Sequence, residues 1–399
     1  MTLTTSIEYL TITISSILLT LFIIAVRNIF RFSSLYTISQ EHFKSILNSE
    51  GLSDAPLVSI LIPARNEERL IRECVESLAQ QDYPNFEVVV LNDKSTDRTG
   101  AILEDLSLQY PQIRIIQGKD LPQGWVGKNF ACHTLASQAA GDYFLFTDAD
   151  TIHKPHMLQS AVAMMLDQKL DFISMIPNEE MVSWGEKIII PMIHFLYFAY
   201  LPNDIITKSR KASVSAANGQ FMFFSRKAYQ HIGGHTIVKN NIVEDVFLAK
   251  EVKKNGLRMA LVDGTQSVSC RMYTNFKEAF EGFSKNLFAG FSFHLPTFLI
   301  FLIHLFVLYI FPFLCIVYLI FCNDSTTSSI FYLSALNIAI PIIIRLIMAY
   351  RFKLSISASF IHILTVFSCI AIGLNSLRWT YSKRGIQWKG REYNKQSLQ

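Results

Sequence analysis

Charge is scarce in this chain. Of its 399 residues 17% are Asp, Glu, Lys or Arg, against ~25% in an average soluble domain, and 50% are hydrophobic. Disorder, a coiled coil and a polyelectrolyte tail all need more charge than this. A formal net charge of +4 is too small to attract a polyanion, so no nucleic-acid partner is expected. Cysteine is equally sparse: Cys74, Cys132, Cys270, Cys315, Cys322 and Cys369 include no CxxC pair. That excludes a disulfide framework and a cysteine zinc site, and it fits a reducing compartment. No Lys or Arg precedes the first apolar run, Tyr9–Val26, which argues against a cleavable signal peptide.

What the chain has in excess is apolar length. Tyr9–Val26 runs 18 residues without a charge and is closed by Arg27 and Arg31, so residues 1–30 read as an anchor with its C-terminal side in the cytoplasm. Residues 31–55 read as a linker. Between Lys285 and Arg345 the one charged side chain is Asp324. Phe298–Cys322, Ile330–Ala349 and Leu354–Leu377 are each long enough to cross a bilayer, and together they make 294–377 a transmembrane region. The expected localisation is a multi-pass protein of the cell membrane with its middle region in the cytoplasm. Three crossings after that region would leave the tail, 378–399, outside. Yet Arg378, Lys383, Arg384, Lys389, Arg391 and Lys395 make the tail basic, as for an inside segment. The sequence leaves this conflict open.

Residues 56–274 have ordinary composition and alternate short apolar runs with helical patterns. Val58–Ile62, Glu87–Leu91, Ile113–Ile116 and Tyr143–Thr147 read as strands, with helices over Glu67–Gln80, from near Asp97, and over Lys128–Ala140. This alternation predicts an α/β fold with a mostly parallel central sheet. Ligands in such a sheet bind beyond the carboxyl ends of the strands. Polar clusters stand at those ends: Pro63-Ala64-Arg65-Asn66-Glu67-Glu68, Asn92-Asp93-Lys94-Ser95-Thr96-Asp97 and Thr147-Asp148-Ala149-Asp150. Two carboxylates one residue apart in a turn suit a hard divalent cation bridging to phosphates. Taken singly, Asp93 or Asp97 serves equally well as a helix cap or an Asx turn. Gly124-Trp125-Val126-Gly127-Lys128 opens a helix whose amides and lysine can meet phosphate or sugar, or form an ordinary cap.

These three clusters in order, followed by Asn218–Arg226 and by Glu244-Asp245, resemble the family 2 glycosyltransferases over residues 56 to about 275. The resemblance implies the nucleotide-sugar fold called GT-A and inverting sugar transfer. It implies that Pro63, Ala64, Arg65, Glu67 and Lys128 line the nucleotide pocket, and that Asp93 contacts the uracil or ribose. It assigns Asp148 and Asp150 to a Mg2+ or Mn2+ ion and the diphosphate. Asp245 becomes the general base, with Glu244 beside it. Elementary chemistry asks for the same set. Displacement at an anomeric carbon needs a base for the acceptor proton. It also needs positive charge at the leaving diphosphate.

The order of parts resembles the lipid-acceptor branch of that family, whose members include ceramide glucosyltransferase-like, hopanoid-associated and carotenoid enzymes. That branch implies UDP-glucose as donor and a membrane lipid as acceptor. The tail Trp388-Lys389-Gly390-Arg391-Glu392-Tyr393 is similar to the ending of its bacterial members. Residues 275–293 place Phe276, Phe280, Phe283, Leu287 and Phe291 at helical spacing, which predicts an amphipathic interfacial helix facing the bilayer or an acceptor channel. Processive synthases of the family carry Gln-x-x-Arg-Trp near here. This chain reads Gly282-Phe283-Ser284-Lys285-Asn286, which favours single-sugar transfer. A polyprenyl-phosphate sugar transferase, a polysaccharide synthase and a catalytically inert membrane scaffold are the competing readings.

Overall fold

The computed structural model describes residues 3–35, 38–209, 211–322, 328–382 and 386–393. The chain forms two compact units, each assembled from separated stretches, whereas the sequence divides naturally into consecutive segments. An α/β unit comprises Ser33–Glu180, Ile205–Met272 and the tail from Lys383. A helical unit comprises Met1–Phe32, Met181–Asp204 and Tyr273–Ser382.

The α/β unit contains strands β1 (Val58–Ala64), β2 (Phe86–Asn92), β3 (Ile113–Gln117), β4 (Tyr143–Phe146), β5 (Thr151–His153), β6 (Phe172–Ile176), β7 (Asn178–Glu179), β8 (Met222–Ser225), β9 (Met259–Asp263), β10 (Val268–Cys270), β11 (Ile386–Trp388) and β12 (Arg391–Tyr393). Seven of them make one sheet in the order β3-β2-β1-β4-β8-β6-β9. Strands β1 to β4 are mutually parallel, β8 is antiparallel to both its neighbours, and β6 pairs with β9 in parallel. Ile60, Ile62, Val88, Val90, Leu145, Ile173 and Phe223 join one buried core, as continuous β-branched and aromatic runs require when both faces are covered. The crossover helices are Ile71–Ala79, Thr99–Gln109 and Gly127–Gln138.

Two of these helices start later than their sequence pattern suggests, and the delay shapes the site. Asn66 adopts a left-handed φ of +53°. The chain then turns through Glu67, whose carbonyl accepts from Leu70 N–H at 3.1 Å, so Arg65–Glu68 stay in a loop at the end of β1. Asp97 precedes the Thr99 helix, and its Oδ1 accepts from the Thr99 amide at 3.0 Å and hydroxyl at 2.6 Å. Asp97 is therefore an Asx-turn residue at the helix entrance, one position before the N-cap Arg98.

Four helices of the helical unit are long and apolar enough to cross a membrane: Thr4–Arg31, Leu295–Phe321, Ser329–Phe352 and His362–Tyr381. The first packs on the third through polar contacts: Ser15 Oγ donates to Asn337 Oδ1 at 2.7 Å, and Asn337 Nδ2 donates to the Thr11 carbonyl at 3.1 Å. The expected span Leu354–Leu377 is divided, with a short turn of helix at Ile356–Ser359 before His362–Tyr381. The amphipathic helix runs Phe276–Gly290, capped by Asn275, whose side chain accepts from Glu278 N–H. Its expected orientation changes, because the Phe face is mostly consumed by packing inside the unit. Phe280, Phe283 and Leu287 pack against Ile189, Ala279 and Ile372, and Phe288 and Phe291 pack with Phe298 and Leu302. Phe276 is 45% exposed and remains available to an apolar environment. The packing follows from a polar seam that holds this helix on His362–Tyr381. Phe288 N–H donates to Ser376 Oγ at 3.0 Å and Asn375 Nδ2 to Ser284 Oγ at 3.0 Å.

Candidate active site

The carboxyl ends of β1, β2 and β4 carry the residues that the sequence singles out. Pro63 and Ala64 close β1, and the Ala64 carbonyl accepts from Asp93 N–H at 2.8 Å, which fixes the loop after β2 beside it. Arg65 extends this link by donating from Nη1 to the Asp93 carbonyl at 2.6 Å. Glu67 lies in the same loop, and burial raises its pKa against the opposing pull of the Lys389 ammonium.

The Asp148-Ala149-Asp150 turn is braced from beneath. Thr147 Oγ1 donates to the Gln220 carbonyl at 2.8 Å, and Thr151 Oγ1 donates to the Asp148 carbonyl at 2.7 Å. His153 Nε2 lies 3.1 Å from Thr147 Oγ1 and 2.9 Å from Thr151 Oγ1. Burial pushes the pKa of this imidazole down to about 3, so it is a neutral strut rather than an acid or base. Asp150 is half-buried, and its buried Oδ1 has no hydrogen-bond partner. Desolvation and the nearby Asp148 charge raise its pKa. Glu179, on β7, is pushed up to about 8 by burial and by Asp150.

Lys128 joins the two halves of the site. Its Nζ lies 2.6 Å from Asp148 Oδ1 and 2.9 Å from Glu244 Oε1. Burial opposes its charge, but the two carboxylates outweigh burial and hold its pKa well above the ordinary lysine value. Glu244 and Asp245 open the helix Glu244–Lys254. Asp245 accepts from Gly219 N–H at 2.9 Å and from Val246 N–H at 2.8 Å. Its pKa is nevertheless raised, by burial first and by Glu244 second. Gly219 lies close to the same groups: a Cβ there would stand 3.2 Å from Lys128 Nζ and in ordinary contact, 3.6 Å, with the carboxylates of Asp245 and Glu244.

Among the described residues, no group of three or more His, Cys, Asp or Glu side chains could hold a metal ion alone. Asp148 and Asp150 still fit a hard divalent cation, which is commonly held by one or two carboxylates together with substrate phosphates. The unpartnered Asp150 Oδ1 is the atom such an ion would satisfy.

Glycosyl transferase family 2 is the family whose model matches this chain, over residues 59–233. The chain carries a family 2 glycosyltransferase domain. It is 28% identical over 237 residues to 4,4'-diaponeurosporenoate glycosyltransferase of Staphylococcus haemolyticus, covering 59% of this chain and 62% of that one. It is 30% identical over 184 residues to beta-monoglucosyldiacylglycerol synthase of Synechocystis sp., covering 45% of this chain and 37% of the other. The chain therefore spans less than two thirds of the length of these relatives. The solved mannosyltransferase PcManGT from Pyrobaculum calidifontis, in complex with GDP-Man and Mn2+, superposes with a TM-score of 0.52 at 16% identity, covering 94% of this chain and all of that one. That likeness concerns the fold, which is the expected GT-A-like type. Glu244 and Asp245 lie beyond the matched segment, and what ties them to it is their contacts with Lys128 and Gly219.

The candidate site is also contacted by residues that the sequence pattern does not place there. Lys389 pairs with Glu67, and Arg391 grips Asp93 with Nη1–Oδ2 at 2.6 Å and Nη2–Oδ1 at 2.9 Å. Tyr393 Oη accepts from Gly127 N–H at 3.0 Å. The tail motif itself was visible as a pattern. Its partners, some 270 to 320 residues away, were not. Glu179 carried no local signal. His235 is buried, with Nδ1 at 2.8 Å from Tyr229 Oη.

Replacing Lys128 with Met should destabilise the domain, because Asp148 and Glu244 would face each other without their shared counter-ion. Breaking a buried pair costs ~3–5 kcal/mol, and the lower end applies because Asp148 is 29% exposed. The melting temperature should fall. A melting temperature equal to wild type would show that the bridge holds nothing.

Proposed function

We propose that this protein is a membrane-bound inverting transferase that moves one hexose, glucose from UDP-glucose, onto a hydroxyl or carboxyl of a membrane lipid. The observation that carries this reading is the Lys128 bridge, which joins the donor-side carboxylate Asp148 to the Glu244-Asp245 pair in one site. The lipid acceptor is supported by the relatives, which are named for glycosylating 4,4'-diaponeurosporenoate and for making monoglucosyldiacylglycerol.

Asp245 is the base in this mechanism. Its raised pKa gives it the proton affinity the role requires, and the Gly219 and Val246 amides hold its carboxylate in place. The acceptor oxygen attacks the anomeric carbon and its proton passes to Asp245. The bond from that carbon to the diphosphate oxygen breaks, and the nucleoside diphosphate leaves. Asp148 and Asp150 are the residues that would hold a Mg2+ or Mn2+ ion, which neutralises charge on the diphosphate when bound. Lys128 contributes a fixed positive charge beside Asp148.

The apolar helices supply the membrane attachment in this reading, and the tail sets how many of them cross. Arg391 is bonded to Asp93, so the tail and the α/β unit share one side of the bilayer. An even number of the three apolar helices after Tyr273 must therefore cross. His362–Tyr381 is the shortest of them at 20 residues and the least apolar. The segment leading into it is folded back on the preceding helix: Arg345 Nη2 donates to the Ala358 carbonyl at 3.4 Å and Nη1 to Thr365 Oγ1 at 3.3 Å. We assign it as the helix that does not cross. The basic tail is then cytoplasmic, in keeping with the charge bias of membrane proteins.

Three measurements test these assignments. Asp245→Asn should cut transfer by ~10²–10⁴ while UDP binding persists. In the wild type, the rate should rise with pH through a value above the ordinary carboxylate range, because the base must lose its proton to act. Turnover of the variant within a few fold of wild type would remove Asp245 from the role, and a product ladder on the lipid would indicate polymerisation. Chelation should abolish transfer, with Mg2+ or Mn2+ restoring it in the wild type but poorly in Asp150→Ala; an unaffected wild type would refute the metal assignment. A fluorescent protein fused at the C-terminus should fold and fluoresce in the cytoplasm, and activity of an alkaline phosphatase fused there instead would overturn the assigned topology.

A further inference from the structure

The tail hairpin lies over the strand ends that the donor is proposed to occupy. Lys389 and Gly390 form its two-residue turn, both with positive φ (+43° and +77°), and Trp388 pairs with Arg391 across it. Arg391 and Tyr393, two residues apart on one strand, project to the same face. Arg391 takes the Asp93 carboxylate with both terminal nitrogens, and Tyr393 takes the Gly127 amide. Lys389 pairs with Glu67, while its carbonyl accepts from Arg65 Nε at 3.1 Å. The hairpin thus holds the loop after β1, the loop after β2 and the start of the Gly127 helix. That helix start leaves room for it, for a Cβ on Gly127 would run into the Arg391 guanidinium.

With Arg391 on both of its oxygens the Asp93 side chain is only 10% exposed, which leaves a ribose or a base little access to it. Donor binding at Asp93 therefore requires Arg391 to let go. The entering diphosphate also adds negative charge to a site already holding Glu67, Asp93, Asp148, Asp150, Glu244 and Asp245, while Lys128 is engaged by two carboxylates. Arg391 and Lys389 are cations of the right kind, since a guanidinium fork matches phosphate oxygens and an ammonium serves as a point charge. Resting on the donor-site reading above, we propose that the hairpin Ile386–Tyr393 is the lid of the donor pocket, and that Arg391 and Lys389 exchange Asp93 and Glu67 for the diphosphate when a nucleotide enters. The tail then contributes donor-binding residues and closes over the bound nucleotide.

The test uses the purified full-length chain with UDP, and GDP in a parallel arm. Arg391→Ala and Lys389→Ala should each weaken nucleotide binding about 10- to 100-fold, the loss of a charge-assisted hydrogen bond. Arg391→Lys should recover part of the loss, because it keeps the charge but not the fork. In the wild type, which needs no variant to fold, bound UDP should slow tryptic cleavage after Lys389 and Arg391. Tighter binding in Arg391→Ala, with UDP accelerating those cleavages, would overturn the lid and make the hairpin a competing plug. Unchanged affinity and unchanged cleavage would overturn it in favour of a purely structural tail. A wild type that binds neither nucleotide overturns the donor-site reading itself, and the lid with it.

Discussion

Lys128 stands between Asp148 and Glu244, and the chemistry attributed to this domain depends on that one ammonium. Asp148 comes from the end of a parallel strand and Glu244 from a helix start almost a hundred residues later. Two carboxylates brought this close repel each other unless a cation lies between them. The lysine removes the repulsion and sets the spacing of the two sides. Gly219 lies beside the arrangement, and its amide donates to Asp245. The neutral strut of His153 with Thr147 and Thr151 holds the Asp148 turn in place from below.

The rest of the site is electrostatically unfinished. Asp150, Glu179 and Asp245 are all held at raised pKa values, chiefly by burial. Buried carboxylates without matching cations cost stability, and such residues gather where a ligand completes the charge balance. A cation at Asp148 and Asp150 would complete one part of the balance. The tail already balances another, since Arg391 and Lys389 sit on Asp93 and Glu67. The tail's basic composition, which reads as a membrane-orientation signal, thus has a second role in the site.

The helical unit follows the same rule that polar groups placed in apolar surroundings find each other. Asn337 bonds to Ser15 and Thr11, and Ser376 and Asn375 tie the Phe-rich helix to His362–Tyr381. These seams turn the Phe face inward, leaving Phe276 as its exposed member. A helical wheel shows which residues share a face, but it does not show what that face meets.

The sequence by itself determined the sheet and the rank of acids along its edge. Val58–Ala64, Phe86–Asn92 and Tyr143–Phe146 are buried, β-branched or aromatic runs, and a parallel sheet puts whatever follows them on one side. Asp93, Asp148 and Asp150 were legible for that local reason. Glu244 and Asp245 were legible as a motif at a helix start. Tertiary structure alone decided which charges meet: Lys128 with Glu244, Arg391 with Asp93, Lys389 with Glu67. It also decided that Asp97 closes a turn before a helix while Asp93 faces the tail. Periodicity and turn chemistry are encoded over a few residues. The pairing of charges hundreds of residues apart depends on how the whole chain closes, and no local pattern records it.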